Sequence, residues 1–254
     1  MTARPRRPGT VPGTVHVIGA GFAGLSAAVA LAQRGVPVVV HEATSHAGGR
    51  CRSYDDPVLG CRIDNGTHIL VGANRAALRY FDRVGARGRL TALGDGGVPF
   101  ADRASGVRWR SRLGGGLVPW WLALPGRRVP GTSAGEYLRL YRLFGAPRGA
   151  TVTGCLGSGP LMDRLWRPLT EAALNTAPEE ASARLLIPVV RGLLLGGAAA
   201  ARIHLADTGL DDAFVAPGLA YLAAAGAEVR FASRLRALDH DGRRVTTLDF
   251  EAGA

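Results

Sequence analysis

Apolar and polar positions change period along this chain, and each change marks an element. Val15-His16-Val17-Ile18 is a short apolar run closed by glycine, the pattern of a buried strand. The alanine- and leucine-rich stretch after Gly21 reads as a helix, and Val36 to Glu42 as a second strand that ends in an acid. A loop follows, then short strands and turns through Gly60 to Val71. Asn74 is placed to cap a helix carrying Leu78, Phe81 and Val84 on one face, terminated by Gly85. Phe100 to Arg110 reads as a hairpin turning at Ala104-Ser105-Gly106.

The middle third is helical. Ser133 with Glu136 makes a capping-box signature ahead of Tyr137, Leu138, Leu140, Tyr141 and Leu143; Leu161 to Asn175 is a further helix, and Thr176 with Glu179 predicts the start of another through Leu194. From Asp211 the αβ pattern returns, with a helix through Tyr221-Leu222-Ala223 to Gly226 and an alternating strand from Ala227 to Phe231. After an Asp241-Gly242 turn, Val245 to Phe250 begins a strand left without its hairpin partner, which exposes an edge of unpaired backbone groups. The fold class is therefore α/β, Rossmann-like, with a mainly helical insertion. Residues 1–111 and 206–254 are two parts of one nucleotide-binding domain, and 112–205 is the insertion.

Composition narrows the classes. The chain has 254 residues, 47% of them hydrophobic, enough to bury a substantial core. All 31 basic residues are arginine, and they set a net charge of +11 against 20 acids. They are not grouped with stacking aromatics, so no nucleic-acid partner is expected. Arg6-Arg7 and Arg127-Arg128 read either as a solvated face or as a weak attraction to anionic lipid head groups. Cys51, Cys61 and Cys155 are few, odd in number and not spaced as C-x-x-C, so they read as free thiols in a reducing cytosol, and no metal site is expected. The histidines make no H-x-x-x-H or H-x-H pair.

Two apolar segments bear on membranes. Leu185 to Ala201 is interrupted by Pro188, Arg191 and Gly196-Gly197, which suits a buried or substrate-lining helix better than a span. Trp120-Trp121 between Pro119 and Pro125 suits a membrane-interface loop, the mouth of an apolar tunnel, or plain core packing. Arg4, Arg6 and Arg7 ahead of an apolar run imitate a secretion signal, but glycines at nucleotide-binding spacing and an unbroken continuation into Val38-Val39-Val40 argue against one.

The chemistry lies between Val15 and Arg50. Gly19-Ala20-Gly21-Phe22-Ala23-Gly24 is a G-x-G-x-x-G turn with a strand before it and a helix after it. Gly19 permits the tight turn, Gly21 lets the backbone approach a pyrophosphate, and Gly24 lets the helix pack close to the strand. Glu42 closes the second strand at a distance where its carboxylate can accept a ribose 2′-hydroxyl, and it would repel a 2′-phosphate.

Gly48-Gly49-Arg50, just after this βαβ unit, resembles the second fingerprint of the flavoprotein superfamily of amine oxidases and carotenoid-type desaturases, where glycine backbone and a guanidinium fork meet dinucleotide phosphates. R-C-R-S-Y, D-N-G-T-H-I-L-V-G-A-N-R, P-W-W, R-R-V-P-G-T, W-R-P-L-T-E-A-A-L-N-T-A-P-E-E-A-S-A-R-L-L and G-A-E-V-R together resemble the hydroxysqualene dehydroxylase family, from Val15 to the last residue.

The resemblance implies FAD as cofactor and extends its contacts to Ala43, Gly66, Thr67, His68 and Val229. It implies an apolar isoprenoid substrate, hydroxysqualene, whose allylic hydroxyl is removed reductively to give squalene in hopanoid synthesis. It also implies a bacterial cytoplasmic protein in peripheral contact with the inner membrane face. His68 is then the candidate proton donor or orienting group, with Asp64 as its support or as a structural carboxylate. Members of the family continue further, so the C-terminal part of the fold is expected to be missing and the flavin-ring site incomplete. A phytoene-type desaturase and a non-catalytic flavin- or prenyl-binding remnant are the alternatives, while Gly48-Gly49-Arg50 disfavours an NAD-dependent dehydrogenase.

Overall fold

The structure, a computed structural model, describes residues 13–111 and 123–251. The Trp120-Trp121 segment and the Arg4 to Arg7 cluster lie outside the described residues. In chain order the first elements are β1 (Val15–Ile18), α1 (Phe22–Ala32), β2 (Val38–His41), β3 (Ser53–Asp56), β4 (Cys61–Asp64), β5 (Leu70–Val71) and α2 (Arg75–Arg83). There follow β6 (Leu90–Leu93), β7 (Val98–Ala101), β8 (Arg108–Ser111), α3 (Ala134–Leu138), α4 (Leu140–Phe144), α5 (Val152–Leu156), α6 (Arg167–Leu174) and α7 (Ala183–Ala201). The last are β9 (Ile203–Ala206), α8 (Ala216–Ala224), β10 (Glu228–Arg230), β11 (Leu235–His240) and β12 (Val245–Phe250).

The chain forms two compact units. One comprises Met1–Ile69, Ala76–Thr91 and Leu205–Ala254, the other Leu70–Arg75 and Ala92–His204. The expected division at 111/112 is thus displaced: the β7–β8 hairpin belongs with the helical block, because its pairing is purely local (Val98 with Ser111, Phe100 with Trp109) and Phe100 and Trp109 pack on the helical core.

The first unit is built on a parallel sheet of order β1-β2-β10. Central β2 is valine-rich and buried at Val38, Val40 and His41; β-branched side chains suit a pleated surface covered by a helix. α1 covers it with Leu25, Ala28 and Val29, all fully buried, and α8 packs on α1. An aromatic cluster seals this layer: Phe22 meets Tyr80 edge-on at 4.9 Å, and Phe81 meets Phe214 at 4.8 Å. The Tyr80 hydroxyl donates to the Phe214 carbonyl at 2.7 Å, and burial pushes its pKa up. Gly218 makes room for it, since a Cβ there would overlap the Tyr80 hydroxyl.

Val245 to Phe250 is not left unpaired. It is β12, and it pairs antiparallel with β11, from Leu235 opposite Phe250 to His240 opposite Val245. The connecting turn is local chemistry: Asp241 Oδ1 accepts the Arg243 and Arg244 N–H groups at 2.8 Å each, and Gly242 takes φ +88°. The partner strand precedes the turn in sequence, where the alternation was too polar to announce it.

The second unit has its own core, in which Tyr137, Leu143, Val152, Leu156, Leu165, Trp166, Leu186, Val190 and Leu194 are buried together. The capping box opens α3 as expected, with the Ser133 N–H donating to Glu136 Oε1 at 2.8 Å. Leu161 to Asn175 is helical, a π-helical turn at Met162–Trp166 running into α6, and Asn175 closes it in the left-handed region at φ 52°.

Two expected caps are not made. Asn74 Oδ1 accepts the Val71 N–H at 2.8 Å, behind α2 rather than within it. Thr176 and Glu179 do not start α7, which begins at Ala183 after Ser182. Tertiary pairing wins there: the Val152 N–H bonds the Ala181 carbonyl, the Ala183 N–H bonds the Ala150 carbonyl, and Glu179 turns to grip Arg167. Among the described residues α7 is long and apolar enough to cross a bilayer by length and composition, yet its Leu186, Val190 and Leu194 side belongs to the core. It contains Pro188 and breaks at Gly197, where φ is 55°.

Candidate dinucleotide site

The site is assembled where β1 gives way to α1. Gly19 leaves the strand at φ +94°, a value that favours glycine, and its N–H bonds the His41 carbonyl at 2.6 Å. Gly21 is the N-cap of α1. A Cβ on Gly24 would collide with the Gly19 carbonyl, so this glycine is what lets the helix close onto the turn. At Gly19 and Gly21 themselves a Cβ would meet nothing within 4 Å. The turn therefore presents bare backbone to open space at the N-terminus of an 11-residue helix, where unsatisfied N–H groups and the helix dipole favour an anion.

The second motif is laid against the first. The Gly48 N–H donates to the Ala20 carbonyl at 2.9 Å, and Gly21 and Gly48 form a parallel bridge. Gly48 at φ +105° has no room for a side chain, which would press on the Cys51 carbonyl and on Val215. Arg50 is exposed, and its guanidinium makes no ion pair or hydrogen bond with the described residues, which leaves the fork available to an anion. Phe22 opens α1 beside this cradle with Ala23 exposed after it, and Ala20 is fully buried.

Glu42 stands at the far edge. Its Oε2 accepts the Ala20 N–H at 2.8 Å, and its Oε1 accepts the Thr44 N–H and hydroxyl at 2.9 Å each. Desolvation pushes this carboxyl up, but the hydrogen bonds from Thr44 and Ala20, with a smaller pull from the nearby Ala43 N–H, outweigh it and hold the pKa below its ordinary value. A carboxylate offers about four acceptor positions, so three bonds leave room for about one ligand hydroxyl. Val229 pairs with Val40 on the neighbouring strand, and Ala43 follows Glu42 directly. The bare glycine turn, the free guanidinium and the part-filled carboxylate fit the pyrophosphate and ribose of a dinucleotide such as FAD.

The Asp64 to His68 loop is tied to the same unit. Asn65 Nδ2 donates to the Arg50 carbonyl at 3.2 Å, and the Asn65 N–H bonds the Arg52 carbonyl, so this residue links the loop to the Gly48-Gly49-Arg50 turn. Asp64 accepts the Ser53 hydroxyl at 2.6 Å and the Leu210 N–H at 2.9 Å. Both bonds fall on Oδ1, and none joins Asp64 to His68. Gly66 turns at φ +86°, Thr67 is exposed, and His68 Nδ1 lies 3.2 Å from the Gly66 carbonyl. A carbonyl only accepts, so Nδ1 carries the proton in that bond.

Thr44 and Ser53 were missed in the sequence. Thr44 had a usable signal, a hydroxyl two residues after an acid, the spacing of a local side-chain turn. Ser53 had none: it faces Asp64 across the β3–β4 pair, and the Asp211 N–H that bonds its hydroxyl lies far along the chain. Among the described residues no group of three or more histidines, cysteines or acids is placed to hold a metal. The second unit carries an open cleft of about 470 Å³ lined by Phe100, Trp109, Pro160 and the Asp102–Arg164 ion pair, which is polar at its rim.

The flavin containing amine oxidoreductase family model matches residues 22–253. Hydroxysqualene dehydroxylase of Rhodopseudomonas palustris is 48% identical over 238 residues, 93% of this chain and 57% of that protein. The enzyme of the same name from Sinorhizobium fredii is 41% identical over 241 residues, 94% of this chain and 58% of that protein. The zeta-carotene desaturase of Capsicum annuum is 37% identical over only 76 residues, 30% of this chain and 13% of that protein. Among solved structures, an oxidoreductase from Methanosarcina mazei has a TM-score of 0.63 at 14% identity, covering 94% of this chain and 56% of that one. Cyclohexylamine oxidase from Brevibacterium oxydans has 0.58 at 22% identity, covering 93% and 54%. The chain thus spans a little over half the length of the curated relatives it matches.

Proposed function

The chain belongs to the flavin containing amine oxidoreductase family, and from that membership we propose that its FAD-dependent chemistry is the reduction of hydroxysqualene to squalene. The observation that supports this reading is identity of 48% spread over 93% of the chain, well beyond the glycine fingerprint that all dinucleotide proteins share. The competing carotenoid desaturase reading has only a local likeness behind it.

When bound, reduced FAD supplies the hydride; with one proton from the protein, the allylic hydroxyl leaves as water and a C–H bond takes its place. The chain's own part begins with holding the cofactor. Gly19, Gly21 and the N-terminus of α1 take the pyrophosphate with Gly48, Gly49 and Arg50, while Glu42 takes the ribose. Phe22, Ala23 and Gly24 shape the helix start, and Ala43 and Val229 flank the adenosine side.

Hydroxide is a poor leaving group, so a positioned acid is required. With its Nδ1–H on the Gly66 carbonyl, His68 keeps Nε2 for the substrate, and as an imidazolium it donates from there. Asp64 acts upstream of this by fixing the loop through Ser53 and Leu210.

A C30 isoprenoid resides in lipid, so the protein works in peripheral contact with the cytoplasmic face of the cell membrane, where a net charge of +11 favours anionic head groups. The test is anaerobic incubation of the reduced, FAD-loaded protein with hydroxysqualene. Squalene is the expected product; no squalene there, with desaturation of phytoene by the oxidised, FAD-loaded protein in a parallel incubation, sinks the proposal.

A further inference from the structure

Glu42 is held from behind as well as from the front. Its N–H donates to the Arg230 carbonyl at 2.8 Å, and its carbonyl accepts the Ser233 N–H at 2.8 Å. Two residues further, the Thr44 carbonyl accepts the Ala232 N–H at 3.0 Å. One residue earlier, His41 Nδ1 and the Ser233 hydroxyl are 2.9 Å apart. The segment that follows β10 therefore grips the acid-bearing end of β2 on both sides of Glu42, although the two are distant in sequence.

Three features show that this grip is built rather than incidental. Ala232 sits at φ 50°, in the left-handed region that an L-residue with a Cβ avoids, and such a conformation persists only where its neighbours over-determine it. His41 is 2% exposed, yet both ring nitrogens are engaged, Nε2 with His16 Nδ1 at 2.9 Å and Nδ1 with Ser233. Its ring also stacks on Phe250 at 4.0 Å, which fixes its plane. A buried polar side chain with every partner specified is a rigid fixture, and here it stands directly behind the ribose carboxylate.

We infer that Ser233, acting through His41 and the Glu42 backbone, is a positioning residue that sets the Glu42 carboxylate to accept a ribose hydroxyl. The physical reason lies in the bent Ala232. Without the Ser233 hydroxyl, the bend loses one of the bonds that hold it, the segment relaxes, and Glu42 keeps its charge but loses its angle. The inference rests on the reading of Glu42 as the ribose acceptor, and its test separates the two.

FAD binding is measured on the intact chain by flavin fluorescence, with ADP and 2′-deoxy-ADP as competitors. The wild-type protein is expected to prefer ADP about tenfold or more, the size of one hydrogen bond to a charged acceptor. Ser233→Ala is expected to bring the two competitors to near equality, and Ser233→Thr, which keeps the hydroxyl, to restore the preference. A purely structural loss lowers both competitors together and leaves their ratio intact. If the wild-type protein does not distinguish them, the ribose reading falls and the inference with it. If the wild-type protein distinguishes them and Ser233→Ala does so equally, the ribose reading stands and the inference is overturned.

Discussion

The Glu42 carboxylate accepts the N–H of Ala20 at 2.8 Å, so the acid at the end of one strand is bonded to the middle of the glycine turn at the end of another. The bond joins the two halves of the dinucleotide site into one piece. It also gives Glu42 a structural task beside the recognition proposed for it, since Ala20 is fully buried and has no water to turn to.

Replacing Glu42 by alanine leaves the Ala20 N–H without an acceptor. An unsatisfied buried donor costs about 1 to 3 kcal/mol, and this should appear as a lower urea midpoint even without cofactor. Glu42→Gln keeps an acceptor oxygen, so it should recover most of the stability while binding FAD more weakly than the wild-type protein. Equal midpoints for Glu42→Ala and the wild-type protein count against the bond to Ala20.

Gly24→Ala tests the closeness of α1 to the turn. The added Cβ falls on the Gly19 carbonyl, a backbone atom that cannot swing aside, so the helix must retreat and the buried contacts of Leu25, Ala28 and Val29 loosen. Overpacking of this kind costs about 1 to 3 kcal/mol or more, and here it also spoils the cradle. Loss of FAD binding together with a lower melting temperature is expected, whereas a variant that keeps both shows that the turn adapts.

Much of this site was legible because its parts are local. Gly19, Gly21 and Gly24 announce a turn and a close helix by spacing alone, and Glu42 follows at the distance of one βαβ unit. What was not legible depends on residues that meet only in the fold. Asp64 read equally well as a partner of His68, and its bonds to Ser53 and the Leu210 N–H appear only in the fold. Thr176 and Glu179 had the spacing of a cap but lost to the pairing of Ala181 and Ala183 with residues 150–152. Ser233 carries no sequence signal at all, since its meaning comes from His41 on a different strand.

Burial of His41, with His16 beside it, makes stability depend on pH. Burial lowers the His41 pKa from 6.5, and the nearby His16 and Arg230 lower it further against a smaller opposing effect of Glu228. The unfolded chain therefore takes up its proton at a higher pH than the folded one does. This contribution is fully present above the unfolded value near 6.5 and is lost as pH falls through the window between the two values. Urea midpoints should drop between about pH 7.5 and pH 5.5, and the drop should shrink in His41→Gln, which cannot titrate. An equal drop in both proteins assigns it to other groups.

In the proposed reaction His68 is the proposed proton donor, and a single conservative change separates that task from cofactor holding. Glutamine at this position can still donate to the Gly66 carbonyl, the bond His68 makes through Nδ1, but it has no acidic proton to give. The residues proposed to meet the pyrophosphate and ribose are Gly19, Gly21, Glu42, Gly48 and Arg50, and His68 is proposed only as a contact of the flavin ring, so FAD affinity should fall no more than a few-fold. Positioned general acids contribute about 10² to 10⁴ in rate, and His68→Gln should lose squalene formation by a factor in that range. The loss should lie in the turnover number, because protonation of the leaving hydroxyl follows binding. If turnover is unchanged while FAD remains bound, the proton comes from another group and His68 only lines the site.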